Sequence, residues 1–161
     1  MQLHVGFGGE VNQLNLGSLL GMTTEKMREF NELVGAQMVD STEERFNTQM
    51  SPDGVRWLPS QRAIVQNGET LRDTGRLKTS LTYIPLPDGV EWGTNVYYAP
   101  VHQYGAHITP KRGEFLKFVN AYGVTVFARS VTIPARPYLG VNEQDVNEIS
   151  DILAYILERD S

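Results

Sequence analysis

The sequence predicts an α+β fold, a small antiparallel β-sheet with a projecting hairpin, flanked by a long N-terminal helix and a C-terminal helix. Three observations carry this. Met27, Phe30, Val34, Met38, Phe46 and Met50 recur at intervals of three, four or eight, which puts them on one helical stripe. Val146, Ile149, Leu153, Ile156 and Leu157 form a second stripe near the other end. Between them, from residue 83 on, short β-branched and aromatic runs are separated by Pro, Asp, Asn and Gly.

Taken in order, residues 2–7 alternate as an edge strand that Gly8 and Gly9 end. The long helix spans residues 23–50, with Thr23 or Thr24 as cap, Glu25 at the positive end of its dipole, and the turn Pro52-Asp53-Gly54 as its stop. Trp57 then lies as a lid on the core. A short helix is expected over 60–66, and a second one carries Leu77 and Leu81 behind a cap at Asp73 or Thr74. Strands are expected at 83–86, 90–92 and 96–98, separated by Pro87-Asp88-Gly89 and Gly93-Thr94-Asn95. Residues 115–119 and 124–131 read as the arms of a hairpin around 120–123. Pro134 and Pro137 hold 133–137 extended, because each ring fixes its own φ and disfavours helix in the residue before it. Asn142 caps the closing helix.

With 161 residues, no repeat and no linker, residues 1–161 are expected to form one domain. No apolar run approaches the length of a membrane span, and the N-terminus lacks a signal-like basic and apolar pattern, so no membrane partner is expected and the protein is expected to be made in the cytoplasm. The absence of Cys excludes disulfides and thiolate metal sites. The net charge of -5 is unevenly placed: residues 1–53 hold three basic against eight acidic side chains, 54–139 ten against five, and 140–161 one against six. Acidic ends around a basic middle suit either contacts between copies or solvated faces.

Catalytic readings are thin. Asp73-Thr74-Gly75 matches the aspartic protease tripeptide, but it occurs once and is followed by Arg76 and Lys78, so a cap explains Asp73 better. His102, His107 and Glu114 lack the spacing of a zinc site. Gly6-Phe7-Gly8-Gly9 lacks the Lys and Ser/Thr of a phosphate loop. Neither a catalytic residue nor a metal or other cofactor is expected. The basic middle, including Arg56, Lys111 and Arg112, suits a partner-facing surface or transient DNA contact, since a dedicated DNA binder carries far more net positive charge.

Four segments taken together resemble the phage virion morphogenesis family, which includes tail-completion proteins of Mu-like phages. They are Ser51-Pro52-Asp53-Gly54 with Trp57 and Pro59; Leu71 through Asp73-Thr74-Gly75-Arg76-Leu77 to Ser80; Val90-Glu91-Trp92-Gly93-Thr94-Asn95 with Tyr97-Tyr98-Ala99 and His102-Gln103-Tyr104-Gly105; and Ile133-Pro134-Ala135-Arg136-Pro137-Tyr138-Leu139-Gly140. They span residues 51–157 with the final helix, whereas residues 1–22 look unlike the family's start. Asp53, Gly54, Trp57, Asp73, Gly75, Leu77, Gly93, Tyr98 and Gly105 are the core and turn positions of these segments. The resemblance implies a virion component at the head-tail junction, working as a homo-oligomer, expected as a hexameric ring, between neck and tail-tube proteins with DNA passing through. On that reading the hairpin and the proline segment reach a neighbouring copy through Phe115, Phe118, Val124, Phe127, Arg129, Arg136 and Tyr138, and acidic helices line the channel. A neck or head-completion adaptor, an assembly hydrolase and a DNA-binding accessory factor are the rival readings.

Overall fold

A computed structural model describes the protein over residues 2–6 and 21–159. Strand β1 (Gln2–Gly6) is followed by helix α1 (Thr24–Thr48), the short helices α2 (Gln61–Val65) and α3 (Arg76–Thr79), and strands β2 (Thr82–Leu86) and β3 (Gly89–Gly93). Helix α4 (Ala99–Tyr104), strands β4 (Ala106–Ile108), β5 (Leu116–Val119), β6 (Thr125–Ala128) and β7 (Val131–Ile133), and helix α5 (Glu143–Glu158) complete it. The α+β class expected from the sequence is the one observed.

Helix α1 starts where Thr23 Oγ1 accepts from the Lys26 amide, and it ends at Gln49, whose left-handed backbone releases the chain into the Pro52-Asp53-Gly54 turn. Phe30, Val34, Met38 and Phe46 of the stripe are fully buried. The gap of eight between Met38 and Phe46 is filled by Thr42, which donates to the Met38 carbonyl at 2.6 Å and accepts the Trp92 indole N–H at 3.2 Å. A hydroxyl is tolerated there because its donor and acceptor capacity are both used.

The helix packs on a three-stranded antiparallel sheet of order β1-β3-β2. β3 lies in the middle and directs Val90 and Trp92, two residues apart and both fully buried, into the core. Pro85 removes a ladder donor from β2, which an edge strand tolerates. Contact between α1 and β2 is tight: a Cβ at Gly35 would fall 2.2 Å from Tyr83 Cδ2. Helix α5 closes the core with Ile149, Leu153 and Ile156, and Asn142 and Asp145 form a reciprocal capping box at its start.

Several expected elements differ. Residues 96–98 form no strand; Thr94 Oγ1 accepts the Val96 amide and turns the chain into α4, whose first turn suits Pro100. The second hairpin arm ends at Ala128 and not at residue 131, because Val131 opens β7 and pairs with Ile108 in a separate ribbon. The strands therefore divide into three small sheets, β1-β3-β2, β4-β7 and β5-β6. Helix α3 is capped by neither carboxylate nor hydroxyl in the ordinary N-cap position, which Gly75 occupies; Thr74 Oγ1 accepts only the Arg76 amide, at 3.3 Å. The expected breaks at Gly8 and Gly9 lie outside the described residues.

Candidate functional site

The β5–β6 hairpin is built by its turn. Asn120 Oδ1 accepts the amides of Tyr122 and Val124, both at 3.0 Å, and Gly123 takes φ +75°. Register pairs Lys117 with Phe127 and Val119 with Thr125, so Phe115, Lys117, Val119, Phe127 and Arg129 share one face. That face combines apolar side chains with two cations and is solvent-exposed, with Val119 at 65% and Phe127 at 62% exposure. Lys117 Nζ sits 5.8 Å from the Phe127 ring centroid, and the Arg129 guanidinium 5.5 Å from that of Phe115, with Glu114 3.1 Å from Arg129. Phe118 lies on the opposite face, where it lines a cleft of about 260 Å³ against Ile108 and Val131. Val124 and Tyr122 extend the exposed apolar surface at the tip.

Arg136 and Tyr138 sit apart from the hairpin, which corrects the expectation that the proline segment projects alongside it. At 5% and 0% exposure they belong to the interior, because the proline segment is laid onto the core and does not project. Gln103 holds it there: its side-chain oxygen accepts the amides of Tyr138 and Leu139 at 3.0 Å, and its nitrogen donates to the Leu139 carbonyl at 2.9 Å. Arg136 Nε donates to the Leu58 carbonyl at 2.7 Å, and the Trp57 indole donates to the Pro137 carbonyl at 2.8 Å. Burial, with Tyr104 and Tyr98 nearby, raises the Tyr138 phenol above its ordinary range and keeps it protonated.

The turn motifs serve this arrangement. Gly54 takes φ +74° and donates to the Ser51 carbonyl at 2.9 Å, while Trp57 packs edge-on against Phe46 at 5.5 Å. Leu77 is buried, Gly93 ends β3 opposite Thr82, and Tyr98 packs against the core edge-on to His102. Asp73 is exposed 3.7 Å from Arg62, without the shielded surroundings that a shared-proton carboxyl pair needs. His107 Nδ1 lies 3.0 Å from Thr132 Oγ1, and among the described residues no three His, Asp or Glu side chains gather as metal ligands.

Two charged residues that sequence reasoning missed lock the layout. Arg45 projects from the buried stripe of α1, its Nη2 2.6 Å from Asp145 Oδ2, and its Nη1 donates to the carbonyls of Tyr138 and Gly140 at 2.9 and 3.0 Å. Asp145 also accepts from Ser41 and from the Asn142 amide. The available signal was an arginine inside an apolar stripe together with a carboxylate three residues after a cap.

His102 adds a pH dependence. Burial first, and the Arg136 charge second, hold its pKa below 6.5. The unfolded chain then binds the proton more readily, so this group's contribution is intact above about pH 6.5 and is lost as pH falls toward the folded-state value. His102→Gln is expected to flatten the acid limb of a stability-pH profile measured by urea unfolding.

A model of the phage virion morphogenesis family matches residues 11–158. The chain belongs to that family. The match starts at residue 11, so it takes in part of the stretch 1–22 that looks unlike the family's start. Over 95% of this chain and 94% of the other, it is 26% identical to a protein of Escherichia phage Mu named "Putative capsid assembly protein G". No solved structure matches. Membership in this family assigns the protein a structural or assembly role in building the phage virion. None of its described helices is long and apolar enough to cross a membrane.

Proposed function

We propose that this family member is a non-catalytic structural subunit that assembles into a ring at the head-tail junction and completes the tail so that head and tail join, with DNA passing through the ring. The observation that carries the reading is the exposed face of Phe115, Val119 and Phe127 on an arm whose two strands pack chiefly on each other. Folding leaves this area in water, and apolar area stabilises only when covered, by roughly 25 cal/mol per Å². Aromatic side chains and an arginine at the centre of such a patch are the residue types that dominate binding energy. A projecting arm meeting an unlike surface on the next copy makes a contact that closes into a ring when the rotation per subunit is constant. The same contact would cover the free edges of β5 and β6.

Native mass spectrometry tests this with two variants. Replacing 116–128 by a short Gly-Ser turn, and separately combining Val119→Lys with Phe127→Glu, is expected to convert the oligomer to monomer while circular dichroism keeps the helical signal. A monomeric wild-type protein at tens of micromolar, or an oligomer unchanged in both variants, overturns the reading. The name of the Mu relative favours a second reading, a head-completion or neck adaptor acting in capsid assembly. Quantifying the protein in isolated heads and isolated tails separates the two.

A further inference from the structure

The proline segment, α2, α3 and α4 enclose an open cleft of about 590 Å³ whose walls carry Arg62, Arg76, Arg136 and His102. Among the described residues its one acidic lining side chain, Asp73, is 3.7 Å from Arg62. Arg136 is 5% exposed, and beyond its bond to the Leu58 carbonyl no carboxylate among the described residues lies within ion-pair distance of it. Burial depresses its pKa. Arg76 is exposed and likewise makes no ion pair with a described residue. A guanidinium removed from water without a counter-charge is unfavourable, and a planar fork of donors is shaped for a carboxylate.

A complementary surface exists on the same chain. Between α1 and the first turns of α5 runs a groove of about 380 Å³ lined by Asp40, Glu44 and Glu148. Its one basic lining residue, Arg45, is already paired with Asp145. Asp40 and Glu44 are exposed and form no ion pair with a described residue. The cleft and the groove share no lining residue, so one copy can present its groove to the cleft of another while its own cleft stays open to a third.

We infer that the cleft over Arg136 receives carboxylates from the acidic α1–α5 groove of a second copy of this chain. This contact puts the acidic helices between subunits and not on a channel wall. DNA phosphate is a poorer occupant, since a chain of net charge -5 with acidic ends repels the duplex, and a cleft of this size admits a side chain more readily than a nucleic-acid backbone. The inference rests on the self-assembly proposed above, but uses residues separate from the hairpin.

Charge reversal on each side tests it, read by sedimentation velocity and native mass spectrometry. Arg76→Glu on the cleft side, or Asp40→Lys with Glu44→Lys on the groove side, is expected to weaken self-association on the order of tenfold or more, because an attractive charge at the contact becomes a repulsive one. Mixing the two variants, or combining all three substitutions in one chain, is expected to recover part of the association, since the exchanged positions again carry opposite charges. All these side chains are exposed, so circular dichroism should report an unchanged fold. If the wild type assembles and the reversals change nothing, if only one side responds, or if neither the mixture nor the combined variant recovers, the inference falls while the ring reading stands. A wild type that never self-associates removes both.

Discussion

Replacing Asp145 with alanine is expected to destabilise the protein by about 3–5 kcal/mol, read as a lowered midpoint of chemical unfolding. The carboxylate and its Arg45 partner are 1% and 6% exposed, so water neither screens their attraction nor can easily replace it. Burial pushes the Arg45 pKa down and Asp145 opposes that shift, so removal of the acid leaves a desolvated cation against the carbonyls of Tyr138 and Gly140. The same change removes half of the α5 capping box and the acceptor used by Ser41. Pairing Asp145→Leu with Arg45→Met should recover only part of the loss, because it removes the uncompensated charge but leaves the Tyr138 and Gly140 carbonyls and the Asn142 amide without their partners. A single-mutant cost below about 1 kcal/mol, the range of exposed pairs, would show that the pair is not held as described.

Gly105→Ala is expected to cost roughly 2–6 kcal/mol, combining about 1–3 for a positive-φ, extended-ψ backbone that only glycine adopts freely with about 1–3 for overpacking. Gly105 has φ +72°, and a Cβ there would fall 2.8 Å from both the Ala135 amide nitrogen and the Ile133 carbonyl oxygen. Both obstacles are backbone, so no rotamer change relieves them. The substitution forces α4 and the proline segment apart, which loosens the Arg136 amide bond to the His102 carbonyl, now 2.7 Å. Gly54→Ala makes the control: φ is also positive, at +74°, yet nothing lies within 4 Å of the added Cβ, so only a backbone cost applies. Thermal unfolding of the two variants checks the difference, and equal losses would contradict the close approach at Gly105.

The residues legible in the sequence were those whose meaning is local or periodic. The stripe of α1, the Thr23 and Asn142 caps, the Asn120 turn and the Pro-Asp-Gly reversal follow from side-chain spacing and backbone preference alone. Residues 96–98 misled because their aromatic and β-branched content says strand, while one hydrogen bond from the Val96 amide to Thr94 and a proline placed for a first helical turn decide otherwise. Val131 misled for a related reason. Strand content does not name the partner, and pairing with Ile108, 23 positions away, is a long-range choice. Arg136 and Tyr138 read as surface residues of a stiff arm, but whether an extended segment projects or lies on the core depends on acceptors elsewhere in the chain, here Leu58 and Gln103.

By itself, then, the sequence determined the α+β class, the two flanking helices, the hairpin and the family, since each is written in spacings and turn residues short enough to read along the chain. Only the tertiary structure decided that Arg45 meets Asp145 in the interior, that Gln103 pins the proline segment, and that Arg62, Arg76 and Arg136 gather around one cleft. These side chains come from segments up to a hundred positions apart, and a charge acquires its burial, its partner or its lack of one only when packing has brought those segments together.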